Sequence, residues 1–353
     1  MDTAAMAESL QFGEIDVQVS AARGVCKLNS KQKLNLSENG IVIPLVSMLH
    51  FQDYESIEAA LYALLNLAFG SERRVLRMIV GYEGVNTSKK QNLRGVSVIR
   101  FKVGIVKSGG IPALLKVLEW GNASLLELAL GLLLTLSSCT ANKPRIASSG
   151  AVQLLFQLLG SGISYHAKLD CISALDNLSV STQIVLSDGL ISLIQLIFVS
   201  DKSSHIAEKA IDLLESLISS SETALNQVSE IEGSIGMLVE AIEDGTMACK
   251  ESAAAILVKI CESCRDRYRE MILSEGVVPG LMQLSVNGNR RAREKAKALM
   301  LMLRDGPEDE SSSSRVMHPR TILFEEVMQR IDRGGRAGSS IEMVEEMIAR
   351  LRT

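Results

Sequence analysis

The chain has 353 residues, of which 47% are apolar but only 4% aromatic, so any core must be built from Leu, Ile, Val, Ala and Met. Few aromatics and only six prolines favour helices over sheets. A net charge of −4 with a pI near 5.8 excludes a global basic field that would draw the chain to nucleic acid.

Taken in chain order, Met1 to Glu14 lacks a basic region followed by an apolar core, so no signal peptide is expected. No apolar run approaches the roughly 18 residues of a spanning helix. The chain is expected to be soluble and intracellular, in the cytoplasm, the nucleus or both. From Gly40 onward one phrase recurs: a glycine, then aliphatic residues at helical spacing. It reads GIVIPLVSML at Gly40, GGIPALLKVL at Gly109, GAVQLLFQLL at Gly150, GLISLIQLIF at Gly189, GSIGMLVEAI at Gly233 and, more loosely, GVVPGLMQLS at Gly276. The last five glycines are 41, 39, 44 and 43 residues apart. A second phrase follows each, an Ala/Leu-rich segment such as AALYALLNLA, LALGLLLTLS or CISALDNLSV. These segments are apolar nearly all round and must be covered on several sides. A short helix, a glycine permitting a left-handed turn, a medium helix and a long inner helix make one unit.

The period of about 40–47 residues is that of armadillo and HEAT arrays. SGGIPALLKVL, ALYALLNLA and ISALDNLSV together resemble the armadillo repeats of plant proteins related to the U-box ubiquitin ligases. The resemblance covers roughly residues 15–305 and implies an all-α, right-handed α-solenoid (a superhelix) of armadillo repeats: a partial repeat over 15–35, then six full ones. The short stretch before the first repeat helix leaves no room for a U-box, so an armadillo-only relative without a ligase domain is expected.

One spacing breaks the rule, since Gly40 and Gly109 are 69 residues apart. The surplus, about residues 75–102, is Val/Gly/Asn/Lys-rich and lacks a helical period, so an inserted loop is expected there. A retained intron in the gene model is one origin. A functional binding loop carrying Lys89, Lys90, Arg94, Arg100 and Lys102 is the other, and the transcript's sequence decides between them. Past Arg304 the pattern stops. Residues 306–320 read as a flexible acidic, Ser-rich linker, with Ser311–Ser314 as phosphorylation candidates. Residues 321–353 read as a helical tail whose stripe of Ile341, Val344, Met347, Ile348 and Leu351 is suited to capping the array.

Signals of catalysis are missing. His50, His166, His205 and His318 share no ligand spacing, and no phosphate loop or nucleophile elbow is present. Cys261 and Cys264 form a CxxC with no second pair to complete a metal site. The expectation is no enzyme, cofactor or metal, but a scaffold or adaptor that holds a protein partner along a concave groove. The resemblance implies that the long third helices line this groove and clamp extended peptides through Asn side chains, which donate and accept at once. The corresponding ladder is Asn66, Thr135, Asn177, Ser216, Lys259 and Met302. Nuclear-import adaptors of this fold carry Trp one turn earlier. Here Tyr62, Gly131, Ser173, Asp212, Ala255 and Ala298 stand there instead, and the single Trp120 falls in a turn, which speaks against that role. The basic cluster Arg290, Arg291, Arg293, Lys295 and Lys297 is a second candidate surface, suited to an acidic partner. Arg265, Arg267 and Arg269 alternate with acids as in ordinary surface pairing. A second implied reading is a substrate-recruiting component of ubiquitin transfer.

Overall fold

The computed structural model describes residues 3–38, 40–69, 92–179 and 187–304, and in these it is all helix, with no strand. The chain forms two compact units, Met1–Thr182 and Gln183–Thr353.

The first unit begins with a helical pair, α1 (Thr3–Phe12) and α2 (Ile15–Val25). Three three-helix repeats follow. The first comprises α3 (Ser30–Glu38), α4 (Val42–Met48) and α5 (Tyr54–Phe69). The second comprises α6 (Asn92–Lys107), α7 (Gly110–Glu119) and α8 (Ala123–Ser137). The third comprises α9 (Lys143–Ala147), α10 (Ala151–Leu159) and α11 (Tyr165–Ser179). The second unit opens on a helix pair, α12 (Ser187–Val199) and α13 (His205–Ser220). It continues with α14 (Glu222–Glu230), α15 (Ser234–Asp244) and α16 (Met247–Ser263). Its last repeat is α17 (Arg265–Ser274), α18 (Val278–Asn287) and α19 (Arg290–Leu303).

Within each unit the dominant contacts join third helices one repeat apart: α2 to α5, α5 to α8 and α8 to α11, then α13 to α16 and α16 to α19. The composition of these helices requires this. In α8 seven leucines are buried, from Leu125 to Leu136, each contributing about 1.5–3 kcal/mol relative to exposure. No single repeat can supply that cover, so the neighbour's third helix must.

The glycine phrase acts as read at most positions. Gly109 and Gly150 precede α7 and α10 with φ of 83° and 87°, a conformation that costs an L-residue about 1–2 kcal/mol. Gly189 differs, because α12 starts upstream of it at Ser187.

Where a loop is expected over 75–102, the described part is helix. α6 runs from Asn92 and serves as the first helix of its repeat, packing on α4, α5, α7 and α8. Phe101 and Ile105 are buried there, and Lys102 donates to Ser138 Oγ at 2.9 Å. Residues 75–91, like the linker at 306–320 and the tail at 321–353, lie outside the described residues.

A polar device repeats beside the apolar one. Asn, Ser, Thr or Asp stands at the start of each third helix of the repeats and caps it. Asp53 accepts from Ser56 N, Asn122 from Leu125 N, Ser164 from Ala167 N, Thr246 from Cys249 N and Asn289 from Ala292 N. Three of these caps also donate back to a glutamate on the preceding third helix. Ser164 Oγ reaches Glu127 (2.6 Å), Thr246 Oγ1 reaches Glu208 (2.7 Å) and Asn289 Nδ2 reaches Glu251 (2.7 Å). The same bond in successive repeats fixes their register. Replacing Thr246 by Val removes both the cap and the link to Glu208. Thermal or urea unfolding should show a loss of about 1–2 kcal/mol, whereas Thr246→Ser should stay near the parent.

Candidate functional site

The two candidate surfaces are placed differently by the fold. Of the ladder, Asn66 and Thr135 are only 2% and 3% exposed. Lys33 Nζ donates to Asn66 Oδ1, and Thr135 Oγ1 donates to the carbonyl of Gly131 one turn back. Asn177 is half-buried and donates to Ser137 Oγ of the preceding third helix at 3.1 Å. Asn177 thus bonds across repeats, while Asn66 and Thr135 bond within their own. In the second unit Ser216, Lys259 and Met302 are half-buried, and the Met302 carbonyl accepts from Arg265 Nε at 2.7 Å.

Arg290, Arg291 and Arg293 are exposed on α19, with Arg290 paired to Glu294 at 3.1 Å. Arg265 and Arg269 do more than pair on a surface. They donate to the Met302 and Leu303 carbonyls at the end of α19, satisfying groups that a helix C-terminus leaves open. Cys261 is buried within α16, which pushes its thiol pKa up, while Cys264 is exposed where α17 starts. Among the described residues no group of three His, Cys, Asp or Glu is placed to hold a metal ion.

The arrangement that sequence reasoning missed lies one to three turns nearer the helix starts. On α5, Tyr54, Glu58, Tyr62 and Leu65 share one face by their spacing. Ser124, Glu127, Leu128 and Gly131 do the same on α8, and His166, Ala167 and Asp170 on α11. Together these faces enclose a cavity of about 220 Å³ within the first unit. Gly131 contributes space, because it occupies the level of Tyr62 on the neighbouring helix without a side chain. Tyr54 donates its hydroxyl to Glu58 at 2.9 Å, and Glu127 holds the cap link from Ser164. A signal for this face existed in the sequence. Eight residues before each ladder position stands a glutamate in five of six helices: Glu58, Glu127, Glu208, Glu251 and Glu294, with Leu169 as the exception.

Asp170 is disfavoured as an anion where it lies. Burial pushes its carboxyl pKa up to about 6, His166 opposing the shift and Glu127 adding to it. A folded-state pKa above the ordinary 3.8 means that the native chain holds this proton more tightly than the unfolded one. Stability is therefore lost as pH rises from about 4 to about 6, and the penalty stays in full above that. Asp170→Asn carries no such proton and should melt several degrees higher than the parent at pH 8. At pH 4 the two should melt alike, as differential scanning calorimetry would show.

Comparison with known proteins agrees with this architecture. Residues 29–69, which comprise α3 to α5, match the family described as Armadillo/beta-catenin-like repeat. U-box domain-containing protein 45 of Arabidopsis thaliana is 30% identical over 175 residues, 49% of this chain and 22% of the relative. U-box domain-containing protein 17 of the same plant is 26% identical over 246 residues, 55% of this chain and 33% of the relative. The chain thus spans a third or less of the length of these relatives. The crystal structure of an engineered protein superposes with a TM-score of 0.60 at 18% identity, covering 99% of this chain and 89% of that one, which bears on the fold alone. The chain is an α-solenoid of armadillo repeats, similar over about half its length to plant U-box proteins.

Proposed function

We propose that the chain is a non-catalytic scaffold or adaptor that holds an extended segment of a protein partner across the third helices of its first unit. The observation that carries this reading is the cavity shared by α5, α8 and α11. Most of each of those helices is buried, and at the cavity Tyr54, Glu58 and His166 stand open to solvent or half so. Adjacent helices pack roughly 8–10 Å apart, so three of them offer a track of about 20 Å. An extended segment of about six residues spans that distance at roughly 3.3 Å each. The thiol of Cys171, buried on α11, is pushed up by burial, away from the thiolate form.

A second reading, a substrate-recruiting component of ubiquitin transfer, rests on the U-box relatives. The level of a captured partner separates the two in cells lacking the chain. A scaffold leaves it unchanged, and recruitment for ubiquitin transfer raises it.

Peptides selected from a random displayed library against the full chain test the binding face. With a photo-crosslinking phenylalanine at position 54, selected peptides should be captured. With the same group at Lys116, exposed on the second helix α7, they should not. Capture at 116 and not at 54 contradicts the proposal.

A further inference from the structure

We infer that the chain's own C-terminal segment, residues 339–353, closes the second unit by lying along the outer face of α19 as one more third helix, parallel to it.

α19 is built for a neighbour on that face. The third helix before it, α16, packs against α13 on one side and α19 on the other. α19 packs against α16, α17 and α18, and among the described residues no third helix lies beyond it. The consequence shows twelve residues past each cap. Val258, counted from Thr246, is 5% exposed, whereas Leu301, counted from Asn289, is 63% exposed.

The glutamates of the register device point the same way. Glu127, Glu208 and Glu251 each accept a bond from the capping residue of the next third helix. Glu294 holds on α19 the place that Glu251 holds on α16, five residues past the cap. It is exposed, with Arg290 of its own helix as partner at 3.1 Å, and among the described residues no further cap reaches it. Ser339 and Ser340 stand immediately before the stripe of Ile341, Val344, Met347, Ile348 and Leu351, and serine is among the preferred N-caps.

Charge selects the occupant and its direction. The exposed side of α19 carries Arg290, Arg291, Arg293 and Lys297 in its first half and Leu301 in its second. The segment carries Glu342, Glu345 and Glu346 in its first half and Arg350 and Arg352 near its end. Laid parallel, acids meet bases, and Ile348 and Leu351 come level with Leu301. Laid antiparallel, Arg350 and Arg352 face the arginines of α19, which is unfavourable. Parallel is also how third helices stack in this chain. Their cap links join starts to starts, and Asn177 bonds Ser137 near the ends of α11 and α8. The acidic partner suited to the basic cluster is then the chain itself.

The connection is long enough. Arg265 and Arg269 hold the carbonyls of Met302, Leu303 and Arg304, which fixes where the chain leaves α19. To lie parallel it must return to the start of this 14-residue helix, about 21 Å away at 1.5 Å per residue. Residues 305–338 cover that with most of their length to spare, at about 3.3 Å per extended residue.

The test places a photo-crosslinking phenylalanine at position 301 of the full chain. Chains grown on light and on heavy nitrogen are mixed equally, and mass spectrometry identifies the captured segment. Residues 339–353 should be captured, light with light and heavy with heavy. The reversal Arg293→Glu with Lys297→Glu should lower capture at least fivefold, and adding Glu345→Lys with Glu346→Lys should restore most of it. That rescue separates a lost contact from a lost fold. Light–heavy pairs would give the face to a second copy of the chain and overturn the proposal. So would no capture of residues 339–353, or capture that the reversal leaves unchanged.

Discussion

The third helix of one repeat lying on the third helix of the next is the contact on which everything else in this chain depends. Helices such as α8 are apolar on nearly every face, and a lone repeat would leave most of that surface in water. The chain resolves this by adding another copy of the same unit one period on. Polar contacts obey the same arithmetic. Ser252 bonds Asp212 and Tyr268 bonds Ser229 at separations of 40 and 39 residues, close to the spacing of the cap–glutamate links. Hydrophobic burial supplies the drive to stack, and these bonds select one register among those the apolar surfaces tolerate.

The same helices carry the candidate site, which explains its chemistry. These helices bury most of their circumference, and toward their starts α5, α8 and α11 line a cavity. Residues at the cavity depart from the apolar rule, with Tyr54, Glu58, Ser124, Glu127, His166 and Asp170 among them. Asp170 is the clearest departure, a carboxyl that burial disfavours as an anion, so that it costs the native chain stability above about pH 6.

Much of the fold was legible in the sequence, because glycine and periodicity report directly on the backbone. The phrase at Gly109, Gly150 and Gly233 marked the starts of α7, α10 and α15, since only glycine takes a positive φ without cost. What escaped was decided by neighbours. The stretch from Asn92 to Lys102 carries β-branched residues and glycine that argue locally against a helix, yet packing on α4, α5, α7 and α8 makes it one. Arg265 and Arg269 looked like surface charges because the carbonyls they cap lie 34–39 residues away. Of the site, the helices and the level of Tyr62 and Gly131 were readable. The ladder of Asn66, Thr135 and Asn177 rests on resemblance, and in the structure Asn66 and Thr135 are buried while Asn177 is half-buried and bonds the preceding third helix. Glu58, Glu127 and Asp170 mean little until three helices are laid side by side.

Amide hydrogen exchange on the full chain, alone and saturated with a library-selected peptide, bears most directly on the claim that the free face of the third helices is where partners lie. The account predicts added protection in the segments Tyr54–Leu65, Ser124–Gly131 and His166–Asp170, with α7 and α10 unchanged. Protection appearing in α7 and α10, or only along Arg290–Leu303, would contradict it.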